Sequence, residues 1–124
     1  MKTIHATASR EYDVVIGAKL LDECGERIAV AVPGAEKAVI CTDSTVHPLY
    51  AERVAASLKA AGFAVLEYVF PAGERSKTLD TWQKILCFLA ENRVSRSDVV
   101  VAPGGGVVGD MAGFAAACYQ RGVP

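Results

Sequence analysis

The sequence predicts an α/β fold, an open and mostly parallel sheet with helices on both faces, preceded by an amino-terminal β-hairpin. Three observations carry that prediction. Short runs rich in β-branched residues recur at 38–41, 64–70 and 98–102, the first two are each followed by a stretch of helical periodicity, and the third enters a glycine turn and a small-residue helix. Strands separated by helices of this length pair in parallel through right-handed crossovers. Ligands of such sheets sit beyond the carboxyl ends of the strands, so the loops after Cys41, Phe70 and Ala102 are where chemistry is to be sought.

Each element follows from local pattern. Residues 3–8 and 11–16 read as two strands joined at Ser9 and Arg10, with Tyr12, Val14 and Ile16 alternating along the second. Residues 18–32 carry Leu20, Leu21, Cys24 and Ile28 at roughly helical spacing, and Pro33 with Gly34 ends them. The run 38–41 is a buried strand, after which Thr42, Asp43 and Ser44 supply helix-capping chemistry. Tyr50, Val54, Leu58 and Ala61 then share one face of a helix ended by Gly62. Residues 64–70 form the next strand and 71–77 a polar loop, followed by a helix with Leu79, Trp82, Ile85, Leu86 and Leu89 as its buried stripe. The third unit is a strand at 98–102, a turn at 103–106 and a helix from about Gly109 to Tyr119.

Composition bounds the function. The chain has 124 residues, 13 basic against 14 acidic, so its formal charge of −1 lacks the excess of cations that a nucleic-acid backbone requires. With 52% hydrophobic and 22% charged residues it suits one compact globular domain, and no apolar run approaches the roughly 20 residues that cross a bilayer. The first ten residues show no secretory pattern, and the expected location is the cytoplasm. Cysteines 24, 41, 87 and 118 form no CxxC pair and have no histidine at ligand spacing, so they read as reduced thiols in or near the core, and no metal set is present. His5 and His47 read as structural, and no serine sits on a nucleophile elbow.

Gly104, Gly106 and Gly109 satisfy GxGxxG between a strand and a helix. Residues without Cβ let the backbone approach a pyrophosphate, and the helix start offers free N–H groups and a positive dipole end; a tight strand-to-helix turn uses the same glycines. Asp43 suits either ribose hydroxyls or the cap of the next helix. The loop Pro71-Ala-Gly-Glu74-Arg75-Ser76-Lys77 suits a polar cofactor or plain solvent, and Arg121 suits a phosphate or a solvated surface.

Taken together, Asp43 after a strand, the Pro71 to Lys77 loop and the run Gly104-Gly-Gly-Val-Val-Gly-Asp-Met-Ala-Gly-Phe-Ala-Ala-Ala-Cys-Tyr-Gln-Arg-Gly-Val-Pro124 resemble the 3-dehydroquinate synthases. The resemblance runs over essentially the whole chain but covers only the amino-terminal part of that family. It implies one NAD-binding, Rossmann-like domain over residues 1–124, with the carboxy-terminal metal-binding helical domain absent and the piece alone inactive. It further implies NAD contacts from Asp43 and Glu74 on ribose hydroxyls, from Lys77, and from Gly105, Gly106, Val107, Val108, Gly109 and Asp110 around the pyrophosphate. Arg121 matches a contact to the substrate phosphate, made across the interface of a homodimer.

The family's reaction converts the sugar-acid phosphate DAHP to 3-dehydroquinate with loss of phosphate, on the shikimate route to aromatic amino acids. It uses NAD catalytically together with a divalent metal, zinc or cobalt, held by residues that none of these positions match. Two other readings stand beside it. One is the corresponding domain of a related sugar-phosphate cyclase or a glycerol-dehydrogenase-like oxidoreductase, and the other is a stand-alone nucleotide-binding module.

Overall fold

The computed structural model describes all 124 residues. Strands β1 (Lys2–Thr7) and β2 (Glu11–Ile16) form an antiparallel hairpin in which Ile4 lies opposite Val14 and Ala6 opposite Tyr12. A 3-10 turn, Leu20–Glu23, leads into helix α1 (Cys24–Ala31). Strand β3 (Lys37–Asp43) is followed by a π-helical turn, His47–Ala51, and helix α2 (Glu52–Ala60). Strand β4 (Ala64–Phe70) gives way to a 3-10 turn, Glu74–Ser76, and helix α3 (Leu79–Glu91), whose first turn is capped by the Thr78 side chain accepting from the Thr81 amide. Strand β5 (Val99–Val101), helix α4 (Gly106–Cys118) and a 3-10 turn at Tyr119–Arg121 complete the chain. No helix is long and apolar enough to cross a membrane.

The main sheet has three parallel strands in the order β4-β3-β5, so the expected parallel α/β architecture and the separate hairpin are both present. Successive side chains of a strand point to opposite faces, and β3 uses both. Ala38 and Ile40 pack with Val54 and Leu58 of α2 and, more peripherally, Leu21 and Ile28. Val39 and Cys41 face the other way, onto Ile85 and Leu89 of α3 and Val108, Met111 and Ala115 of α4. Helices α1 and α2 therefore cover one face, and α3 and α4 the other. Burial pushes the Cys41 thiol up to about 12, which keeps it a neutral core group.

Several boundaries and faces differ from the periodicity. Helix α4 begins at Gly106, three residues before the expected start, because the chain reverses at Gly104 and Gly105 and Val108 docks fully into the core. Strand β5 is three residues long instead of five. The segment expected as one helix over 18–32 splits into the 3-10 turn and α1, with Lys19 left-handed at the junction. Leu79 and Tyr50 are exposed, since each stands at the leading end of its helical segment, beyond the edge of the sheet. All four cysteines are free, but Cys87 and Cys118 are exposed and only Cys41 is core, because the helix phase that buries Ile85 and Leu89 turns Cys87 outward.

Two polar devices fix the layers. Ser57 of α2 accepts from the Gly25 amide at 2.9 Å and donates to the Asp22 carbonyl at 2.9 Å, drawing α1 so close that a Cβ at Gly25 would overlap the Ser57 backbone. At the opposite edge of the sheet from the candidate loops, the buried Asp98 carboxylate accepts from the amides of Lys37 (2.9 Å), Glu36 (3.2 Å) and Ser95 (2.8 Å) and from the Ser95 hydroxyl (3.1 Å). Burial alone raises its pKa, but these four donors outweigh it and hold the carboxyl below its ordinary value.

Two predictions follow from this packing. Gly25→Ala, which helix propensity alone would favour by about 1 kcal/mol, instead lowers stability by about 1–3 kcal/mol through overpacking, measured by thermal or denaturant unfolding. Asp98→Asn puts an N–H group among donors that need an acceptor and costs about 1–3 kcal/mol at neutral pH. Because the folded pKa is depressed, Asp98 contributes its full stability above the unfolded carboxyl pKa of about 3.9 and loses it as pH falls through the lower folded value. Unfolding curves across that range are accordingly steeper in pH for the wild type than for Asp98→Asn.

Candidate functional site

The strand order creates a place for a ligand. From the carboxyl end of β3 the chain leaves toward α2 on one face, and from the end of β5 it leaves toward α4 on the other. Neighbouring strands whose connections diverge in this way leave a crevice between them, the switch point at which open α/β sheets bind ligands. Asp43 stands on one side of it and residues 104–106 on the other.

The three loops at this edge are tied together. The Thr42 hydroxyl donates to the Pro103 carbonyl at 2.7 Å, the Ser44 amide donates to the Phe70 carbonyl at 2.9 Å, and the Ala72 amide donates to the Ser44 hydroxyl at 2.9 Å. Within the loop after β4, the buried Ser76 hydroxyl donates to the Pro71 carbonyl. Asp43 uses one carboxylate oxygen, Oδ1, to accept from the amides of Thr45 (2.9 Å) and Val46 (2.8 Å), so in place of the expected helix cap it closes the turn that leads into the His47–Ala51 segment. Its second oxygen has no partner within the chain, which leaves that oxygen available beside the crevice.

The glycines divide by what surrounds them. A Cβ at Gly104 would lie 2.6 Å from the Val108 side chain, so that residue is needed for close packing of turn on helix. At Gly105, Gly106 and Gly109 a Cβ would meet nothing, and none of the three has a positive φ. Gly105 is the N-cap of α4, but Gly106 and Gly109 lie inside the helix, where glycine is less stable than alanine by roughly 0.5–1 kcal/mol and the chain's own packing offers no return for it. The open side of the turn is a cradle into which an external group can bring its atoms against bare backbone. The first helical bond of the turn runs from the Gly109 amide to the Gly105 carbonyl at 3.0 Å, so the amides of residues 105–108 are the unsatisfied donors of the helix start. Val108 is wholly buried, whereas Gly105 and Gly106 are exposed and Val107 is half-buried.

Lys77 and Asp110 connect the loop after β4 with the first turns of α4 through an ion pair of 2.6 Å. The hydrogen bond and charge of Asp110, and then the charge of Glu74, raise the Lys77 pKa. Both side chains are about half exposed, so the pair is a loose tether. Glu74 is exposed on the 3-10 turn above the same edge. Beside the pair, an apolar hollow is walled by Leu79, Met111 and Phe114, and Phe114 stacks on Trp82 with ring centroids 5.1 Å apart.

Arg121 does not join this group. It follows the carboxyl end of α4, a helix of 13 residues and therefore about 20 Å long. Gln120 and Arg121 are both left-handed, at φ 51 and 62, and the conformation is held by the Tyr119 hydroxyl donating to the Val94 carbonyl at 2.7 Å and the Val123 amide donating to the Ala116 carbonyl at 2.9 Å. Asp43, Glu74, Lys77 and residues 105–110 thus share one edge, and Arg121 stands at the other. The hydroxyls of Thr42 and Ser44, which tie the loops, were legible from sequence only as capping chemistry. No three His, Cys, Asp or Glu side chains gather where they would hold a metal ion, so no step is assigned to a metal on these residues.

The fold and this edge define a Rossmann-like α/β domain with a crevice at the switch point of the sheet. Comparison with known proteins narrows the class. The structure of 2-deoxy-scyllo-inosose synthase complexed with carbaglucose-6-phosphate, NAD+ and Co2+ superposes with a TM-score of 0.85 at 25% identity, over 98% of this chain and 33% of that one. The 2-epi-5-epi-valiolone synthase of Streptomyces hygroscopicus, with NAD+ and Zn2+ bound, matches with a TM-score of 0.76 at 32% identity, over 98% and 33%. Residues 67–124 match the family model described as 3-dehydroquinate synthase N-terminal. The 3-dehydroquinate synthase of Rhizobium etli is 44% identical over 99% of this chain and 33% of its own length. By sequence the chain belongs with the amino-terminal domains of the 3-dehydroquinate synthases, and it spans about a third of the length of the curated relatives it matches.

The division among the glycines is testable by stability alone. Gly104→Ala forces Val108 out of place and lowers stability by about 1–3 kcal/mol, whereas Gly105→Ala stays within about 0.5 kcal/mol of the wild type; denaturant unfolding of the two variants reads the difference.

Proposed function

We propose that this chain is the NAD-binding part of a 3-dehydroquinate synthase, the enzyme that converts DAHP to 3-dehydroquinate with loss of phosphate in the shikimate pathway. The observation that carries the reading is the cradle at Gly105, Gly106 and Gly109, three residues around a helix start at which a side chain would touch nothing in the chain. The amides of residues 105–107 donate to the pyrophosphate, aided by the positive end of α4, and Val108 anchors the turn in the core beneath them. Asp43 accepts from ribose hydroxyls through Oδ2 while Oδ1 keeps the loop folded. Glu74 holds the second ribose, and Lys77, steadied by Asp110, places a cation near the phosphates.

When bound, NAD supplies reversible removal and return of a hydride at a carbinol carbon, which acidifies the neighbouring proton and opens the way to loss of phosphate. The task of these residues is to orient the cofactor and exclude water from one side of it. The divalent metal is held outside these 124 residues. Arg121 reaches a substrate phosphate only from a neighbouring copy of the chain, since its own crevice lies at the far end of α4. Identities of 41–47% to the named dehydroquinate synthases, against 25–32% to the other cyclases, support this substrate over theirs.

Calorimetric titration with NAD+ tests the reading. Gly106→Val fills the cradle and abolishes detectable binding while leaving the unfolding midpoint near that of the wild type; retained binding would refute the pyrophosphate assignment. Asp43→Ala loses about 1 kcal/mol of stability from the two turn bonds and weakens NAD about tenfold. Lost stability with unchanged affinity would leave Asp43 as a turn residue only.

A further inference from the structure

Thr42 is the residue immediately before Asp43 on the central strand, and it is completely buried. The pairing of β3 with β5 ends at Ile40 and Val101, so nothing in the ladder itself fixes how far apart the two strand ends stand beyond that point. Thr42 makes the connection. Its hydroxyl donates to the Pro103 carbonyl at 2.7 Å, at the entrance to the glycine turn. Because a trans peptide is planar, fixing that carbonyl also fixes the Gly104 amide, which points the opposite way, and hence the start of the turn that presents the amides of residues 105–107. Valine would occupy the same volume in a β-strand at least as well, so the hydroxyl is the informative part of the side chain.

We propose that Thr42 is a positioning residue for the cofactor: its hydrogen bond to Pro103 sets the width of the crevice between the Asp43 carboxylate and the glycine cradle. The inference rests on the NAD reading of that crevice. Thr42 touches no cofactor itself and acts through Pro103 and its neighbour Asp43. A hydroxyl that only satisfied its own burial would affect stability and not the affinity of the folded chain.

The test is calorimetric titration of NAD+ into the wild-type chain, Thr42→Val and Thr42→Ser, each held well below its own unfolding midpoint. Thr42→Val is expected to bind about tenfold more weakly or worse, and Thr42→Ser, which keeps the hydroxyl and loses only a methyl group, to bind within about twofold of the wild type. Equal affinity of wild type and folded Thr42→Val overturns the positioning role and leaves the NAD reading intact. If the valine variant does not fold, the serine variant decides: wild-type affinity supports the hydroxyl, and a tenfold loss in folded Thr42→Ser overturns it. Absence of binding to the wild type itself removes the NAD reading and this inference together.

Discussion

Strand β3 is enclosed on all four sides, by β4 and β5 at its edges and by a helical layer on each face, and every other part of the main domain is placed relative to it. Ala38, Val39, Ile40, Cys41 and Thr42 are each exposed by 1% or less. Alternation along that one strand divides the interior into two cores, so a one-residue slip of register would exchange them and strand both helix pairs on the wrong surfaces. The end of the strand is fixed with equal force, because the buried ladder cannot fray, and it delivers Asp43 to the crevice.

The two ends of the sheet have different chemistry for a physical reason. At the amino ends the polar requirements are closed: Asp98 satisfies amides of Glu36, Lys37 and Ser95, and the Tyr119 hydroxyl satisfies Val94. At the carboxyl ends they are left open. The helix start at residues 105–107 and the second oxygen of Asp43 have no partner within the chain, around a turn in which Gly105 and Gly106 carry no side chain. Unsatisfied donors and acceptors beside rigid strands are what a charged, hydroxyl-bearing ligand completes, and the loops carrying them are cross-braced by Thr42 and Ser44, with Ser76 bracing the loop after β4 internally, so little ordering remains to be done on binding.

Most of this was legible in the sequence because the signals were redundant. The runs 38–41 and 64–70 combine β-branched content with flanking turn residues, and the stripe of Ile85 and Leu89 repeats at helical spacing. Legibility failed where tertiary contacts override local pattern. The start of α4 lies at Gly106 because Val108 finds a place in the core, which no propensity scale contains. Cys87 sits in apolar sequence and Leu79 falls on the periodic stripe, yet both face solvent, since periodicity gives a helix its stripe without saying where the sheet beneath it ends. The separation of Gly104 from its neighbours depends on a single contact with Val108, and the bond from Thr42 to Pro103 joins residues 61 apart in the chain. Relations of that kind appear only when the fold is known.

An amide-resolved NMR titration of the chain with NAD+ locates the ligand edge, which the sheet order puts at the crevice between β3 and β5. The largest shifts are expected on residues 104–110, with smaller ones at 43–46 and 73–77, and none on the β1–β2 hairpin or residues 119–122. Shifts centred on the hairpin or on the amino-terminal edge around Asp98, or none at saturating NAD+, would overturn that placement.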